Sequence, residues 1–285
     1  MRTKPARLSL GVSPLARAVG LVLMLLCMPT AVLAEAGAPS KVSARYNVTF
    51  NGFNIGSFRF ESSVDSASYS LTGRAKVSAL LGIVNWSGAT RSSGDLIQGE
   101  PAPAAYSFKY KNSSKSGSVD MSFSKGRVAD RTLVPPRSPS KKRVPLTEEH
   151  LQGVLDPMSA VLAMTTGQLD NPCNRTVAIF DGKQRFDLAL SFRRKERIKE
   201  ARPSGEPAVA IVCGVRYIPV AGHRSNKTVR TLAASEGIEV ALRPIPSANI
   251  LVPYEVRVPT FAGSAVLRAK RVEITTEMRQ IALVH

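Results

Sequence analysis

The most persistent signal in the chain is alternation with a period of two. Ala44, Tyr46, Val48 and Phe50 share one face of an extended segment, and Arg45, Asn47 and Thr49 share the other. That is the pattern of a strand buried on one side. Asn51-Gly52 supplies hairpin turn chemistry, and Phe58 and Phe60 then oppose Ser57, Arg59 and Glu61 on a second strand. Tyr69, Leu71, Gly73, Ala75 and Val77 predict a third strand, with a short helix or bent turn over Ser78–Val84. The run around Trp86 extends the series until Asp95–Pro101 breaks it, and Tyr106, Phe108 and Tyr110 form a further hairpin with Val119, Met121 and Phe123. Aromatic stripes at strand spacing are read as core rather than as ligand lining.

The period changes once. Arg131–Val144, rich in Pro, Ser, Lys and Arg, predicts an extended basic loop. Beyond it, Asp156 is placed to cap a helix whose first position is Pro157; Met158–Met164 carry it and Thr165-Thr166-Gly167 stop it. The pattern then returns to strands: Thr176–Phe180, an Asp181-Gly182 hairpin turn, Phe186 to Phe192, and Val209 to Cys213, with Arg193–Pro207 as a long hairpin tip. Ile238 to Leu242, Val252 to Val258 and Ala265 to Ala269 follow as further strands. Strand and turn signals every 8–12 residues or so fit a sandwich, a barrel or a continuous curved sheet.

The N-terminus stands apart. Arg2, Lys4, Arg7 and Arg17 precede the apolar run Ala18–Met28, and Val32-Leu33-Ala34 offers small-residue cleavage chemistry before Glu35. We read residues 1–34 as a secretory signal peptide, 35–43 as a flexible leader and 44–285 as a single β-rich domain. Pro29 and Thr30 interrupt the run short of the roughly 20 apolar residues that a membrane anchor needs. Export directs the chain to the periplasm and leaves a soluble protein that is not an integral membrane protein.

Charge then narrows the partners. The 285 residues hold 39 Lys+Arg against 21 Asp+Glu, a formal +18, and loss of the signal peptide's four basic residues leaves +14. An exported basic surface meets anionic lipids, lipoproteins or wall polymers, not nucleic acid. Of 3 Cys, Cys27 leaves with the signal peptide, so Cys173 and Cys213 remain as a pair in an oxidising compartment and read as a disulfide. A loop of about 40 residues closed in this way stabilises by roughly 4 kcal/mol on the chain-entropy account.

Catalytic chemistry finds little purchase. Its candidates are His150 beside Glu148 and Glu149, Ser159 near Asp156, and His223. No Gly-x-Ser-x-Gly elbow, His-Glu-x-x-His or Ser-x-x-Lys motif sets a nucleophile beside its base. His150, His223 and His285 lack ligand spacing, so neither metal nor cofactor is expected. Helix capping is a sufficient role for Asp156.

Three ordered landmarks carry a family resemblance. They are the hairpin Tyr46–Phe60 with Gly52 and Ile55-Gly56, the helix start Leu155-Asp156-Pro157-Met158-Ser159-Ala160, and Phe180-Asp181-Gly182-Lys183 before an alternating strand. Over about residues 44–275 the chain resembles the domain of unknown function 3108 family of exported Gram-negative proteins. More distantly it is similar to alphaproteobacterial envelope-integrity proteins, themselves similar in shape to periplasmic lipoprotein carriers. The resemblance implies a mainly β protein, an antiparallel curled sheet (β-spiral or half-barrel) around one central helix, serving cell-envelope integrity without catalysis. The alternatives are a structural partner in an envelope protein complex and, third, a hydrolase.

Overall fold

The computed structural model describes residues 39–79, 84–167 and 169–285. The signal peptide read over 1–34 lies outside them, as does most of the bend expected between Ser78 and Val84.

The first half of the described chain is a meander of seven strands: β1 (Pro39–Phe50), β2 (Phe53–Val64), β3 (Ser68–Ala79), β4 (Val84–Ile97), β5 (Glu100–Asn112), β6 (Ser116–Ser124) and β7 (Arg127–Val134). A connection carrying helix α1 (Pro157–Thr165) leads to β8 (Arg175–Phe180), β9 (Arg185–Arg197) and β10 (Val209–Ala221). Helix α2 (Lys227–Ala233), β11 (Glu239–Ile245), β12 (Ile250–Thr260), β13 (Gly263–Thr276) and β14 (Gln280–Val284) complete it.

All these strands lie in one antiparallel sheet, ordered β7-β6-β5-β4-β3-β2-β1-β13-β12-β11-β10-β9-β8, with β14 on β13. The two meanders are joined by their outermost sequence elements. Ala44 sits opposite Val272 on β13 and Phe60 on β2, and Tyr46 opposite Ala269 and Phe58. Because side chains alternate across a sheet, this register puts Ala44, Tyr46, Phe58, Phe60 and Val272 on one inner face.

The mid-chain connection therefore has to run from one sheet edge, β7, to the other, β8. These edge strands do not pair with each other. Gln152–Leu155 spans them instead: Gln152 bridges to Arg127, and Gly153 N–H donates to Gly126 O at 2.9 Å. Leu155 bridges to Ile179, donating to Ala178 O and accepting from Phe180 N–H, both at 2.9 Å. The curled sheet remains unclosed as a ladder, its two edges linked only by these isolated bridges.

Helix α1 packs on β3, β4, β5, β8 and β12. Met158 and Leu162 join Tyr69, Leu71, Tyr106, Val119, Met121 and Phe180 in one core cluster, so both meanders share it. A second cluster surrounds the β1–β13 junction, with Tyr46, Val252, Val272, Ile274 and Leu283. Among the described residues no helix is long and apolar enough to cross a membrane.

Several boundaries differ from the sequence reading. The leader expected over 35–43 gives way to strand at Pro39, because Val42 and Ser43 pair with both β2 and β13. The basic loop begins after Val134, since Arg131–Val134 are already paired with β6. The hairpin tip of Arg193–Pro207 is partly strand, β9 continuing to Arg197. Helix α2, unpredicted, has no buried residue to create a period and is held by its cap, Asn226 Oδ1 accepting from Val229 N–H at 2.9 Å. Strand β14 is too short for its alternation of Ile281 and Leu283 to register, although both are buried.

Candidate functional site

A cavity of about 510 Å³ lies between α1 and the inner face of the sheet. Tyr46, Phe58 and Phe60 reach it from β1 and β2, Val252 and Leu267 from β12 and β13, and Met158 and Leu162 from the helix. Strand alternation is the cause: the stripe predicted as core faces inward, but the curl holds the strands too far from α1 for the side chains to fill the space. The aromatic stripe on β1 and β2 is thus core on one flank and cavity wall on the other.

Apart from Ser62, buried within β2, and the Tyr46 hydroxyl, the polar lining comes from the ends of elements. Gln98 and Glu100 stand at the β4–β5 turn, Thr165 and Thr166 end α1, and Asn249 precedes β12. Gln98, Glu100 and Asn249 are exposed and mark the solvent side of the cavity. The turn takes left-handed backbone at Gln98 (φ 53°) and Gly99 (φ 82°), the geometry of a two-residue hairpin loop. Among the described residues no Lys, Arg, His or Asp lines the cavity, and Glu100 is its one carboxylate.

The helix wall is fixed by buried polar groups. Asp156 caps α1, its Oδ1 accepting from Met158 N–H at 2.9 Å and Ser159 N–H at 3.1 Å. Its Oδ2 accepts from Ser92 Oγ–H on β4 at 2.9 Å and also from the Ser159 hydroxyl. Tyr69 of β3 lies 2.7 Å from Ser159 Oγ. Asp156, Ser159 and Ser92 are fully buried. Burial is the largest influence on the Asp156 carboxyl and pushes it above the usual range, against the hydrogen bonds from Ser159, Ser92 and Met158. Burial likewise pushes the Tyr69 phenol up to about 12. Pro157 occupies the first turn, where its missing N–H leaves no donor unmet.

The other residues singled out from sequence are scattered. Cys173 and Cys213 form a disulfide with Cα atoms 5.3 Å apart, tying the segment before β8 to β10 across the intervening β9. His150 Nδ1 is 2.9 Å from Thr147 Oγ1, and Glu148 pairs with Arg127 at 2.8 Å. His223 is buried at the start of the connection to α2. His285 packs edge-on against Tyr254, ring centroids 4.8 Å apart. The structure does not bring a histidine to Ser159, whose hydroxyl is committed to Asp156, Ser92 and Tyr69.

Sequence reasoning missed Arg243, which is fully buried. Its Nε donates to Pro207 O at 2.9 Å, and its Nη2 donates to Ser204 Oγ at 3.0 Å and pairs with Glu200 at 2.8 Å. Nothing in the strand pattern marks it, because an Arg in an alternating run normally faces water. The signal available was its phase: Arg243 falls between Leu242 and Pro244 on a strand whose both faces are covered.

No match is found among curated proteins. The fold is similar to that of a solved structure, the beta-barrel-like protein of domain of unknown function DUF1849 from Brucella abortus, with a TM-score of 0.51 and 9% identity, covering 84% of this chain and 100% of that one. At that identity the likeness concerns the fold alone. The model of the protein family of unknown function DUF3108 matches residues 45–270, which take in the whole of α1 and all of the cavity lining except Val42, Ala44 and Val272, and the chain belongs to that family.

Proposed function

We propose that the protein is a non-catalytic periplasmic binding factor of the cell envelope that holds one acyl chain in the cavity beside α1. In this reading the curled sheet is a spiral wound about a central helix, and the helix forms one wall of the binding site. The observation that carries it is the cavity itself: about 510 Å³, walled mostly by apolar and aromatic side chains, with few polar groups, most of them where elements end. Small-molecule sites range over about 300–1,000 Å³ and share this apolar lining with few polar groups. At about 30 Å³ for each water or similarly sized methylene group, the space suits one chain and not two.

The lining also limits the ligand's polar end. With Gln98, Thr166 and Asn249 neutral and Glu100 the only ionisable rim group among the described residues, a neutral or cationic head is accommodated and an anionic one is disfavoured. This differs from the expectation of an anionic ligand drawn from net charge, since the basic residues lie elsewhere. Export through the N-terminal leader and the disulfide support the periplasmic assignment. The buried, mutually satisfied Asp156–Ser159–Ser92 group supports a structural role for the residues nearest to a hydrolase signature.

Native mass spectrometry of the protein purified gently from periplasmic extract tests the proposal. The expected result is a bound lipid of single-chain size, absent from a Leu267→Trp variant that fills the cavity. A bare wild-type protein that also fails to bind a neutral fluorescent monoacyl probe would overturn it.

A further inference from the structure

A second pocket, of about 450 Å³, lies outside the apolar cavity, between the β9–β10 pair and α2. Its lining combines Arg137 and Arg224 with Phe186, Tyr217 and Leu232. The loop after β7 is strapped to the connection before α2 by an Arg143–Arg224 bridge, with Val144 N–H donating to His223 O at 3.0 Å. Arg131 on β7, and Arg143 and Arg224 in the strap, all lie within electrostatic reach of Arg137.

Among the described residues, none of these arginines forms an ion pair. Arg137 donates to Lys183 O at 2.6 Å and Arg131 to Gly182 O at 3.3 Å, backbone acceptors that neutralise no charge. Burial first, then the charge of Arg143, with smaller contributions from Arg131 and Arg224, hold the Arg137 guanidinium below its usual range; Asp181 opposes them. One oxygen of the Asp181 carboxylate is committed to the turn, Oδ1 accepting from Lys183 N–H at 2.7 Å and Gln184 N–H at 2.6 Å. Nε of Arg143 and Nδ1 of His223 are buried without hydrogen-bond partners in the same strap. Four like charges gathered beside a single carboxylate are destabilising unless an anion joins them, and planar guanidinium forks match phosphate oxygens.

Beside the arginines, the rings of Phe186 and Tyr217 lie 5.3 Å apart and supply an apolar surface. We propose that this pocket binds an organic phosphate monoester, with Arg137 and Arg224 on the phosphate and the Phe186–Tyr217 pair against the group that bears it. The site accounts for part of the basic character of the chain and is separate from the acyl cavity.

Calorimetric titration of the full exported protein tests it with phenyl phosphate, inorganic phosphate, dihexanoyl phosphatidic acid and uncharged phenyl glucoside. Phenyl phosphate is expected to bind more tightly than inorganic phosphate, and phenyl glucoside not at all. Equal or tighter binding of the phosphatidic acid would identify a lipid headgroup as the source, and its failure beside bound phenyl phosphate a soluble ester; both support the site. Arg224→Gln and Arg137→Gln should each weaken binding about tenfold, the scale of one charge-assisted hydrogen bond. Arg224 is exposed, so its variant keeps the fold and remains decisive if loss of the Arg137 bond to Lys183 O proves disruptive. Absence of phosphate binding, or binding unchanged in Arg224→Gln, would overturn the proposal. Leu267→Trp should leave phosphate binding unaltered, so the two sites succeed or fail separately.

Discussion

Ser92 Oγ–H on β4 donates to Asp156 Oδ2 at 2.9 Å, joining the N-terminus of α1 to the sheet at a point where both residues are fully buried. The bond links residues of two kinds of element and sets the position of the wall that bounds the cavity. Replacing Asp156 with Ala removes the cap and leaves the Ser92 and Ser159 hydroxyls without their acceptor. The expected loss is about 2–4 kcal/mol, a cap at about 1 plus the orphaned hydroxyls. Urea unfolding of Asp156→Ala beside wild type measures it, and a loss below about 1 kcal/mol would remove the group from any anchoring role.

The same carboxyl makes stability depend on pH. Because burial raises its folded pKa above the unfolded value of about 3.9, its contribution is fully present below the unfolded value and is lost as pH rises through the folded one. Wild type should therefore gain on Asp156→Asn as pH falls from about 7 to about 4. A stability difference that stays constant over that interval would contradict the assignment.

Gly182 turns from β8 into β9 with φ 87°, and a Cβ there would collide with the Val119 side chain across the seam. Gly182→Ala should destabilise by about 2–4 kcal/mol, from left-handed backbone strain and overpacking together. Val119→Ala in the same chain relieves only the collision, so a double-mutant cycle should show favourable coupling. Additive effects would mean that the seam opens without resistance.

The Cys173–Cys213 disulfide closes a loop with a sequence separation of 40. Its removal in the double Ser variant should lower unfolding free energy by about 4 kcal/mol on the chain-entropy account. Reductant should reproduce the effect in wild type and add nothing to the variant.

Arg243 is fully buried with Glu200 as its ion-pair partner. Burial raises the Glu200 carboxyl, but hydrogen bonds from Ser204 and Arg243 and the charge of Arg243 outweigh it and hold the group below the usual range. Glu200→Ala leaves the guanidinium buried and unpaired and should cost about 3 kcal/mol or more. Arg243→Met, which removes the buried charge as well, should cost less; the reverse order would show that packing, not charge, governs the contact.

Strands, their hairpin turns and the single strongly capped helix were legible from the sequence because each rests on neighbours in the chain. Alternation in Ala44–Phe50 follows from the period of the pleat, Asn51-Gly52 from backbone sterics, and Asp156-Pro157 from unmet donors in a first helical turn. The pairing of Cys173 with Cys213 needed only parity and compartment. What tertiary structure decided are the relations across the curl. β1 finds β13 more than 200 positions away, Ser92 meets Asp156, and Gly182 meets Val119, because sheet order and register are fixed by which faces can be buried together. The cavity and the arginine pocket belong to the same class. Period two shows that Tyr46, Phe58 and Phe60 face inward, but whether an inward face closes on a partner or leaves a void depends on the curl of the sheet and the placement of α1, and neither is a local property of the chain.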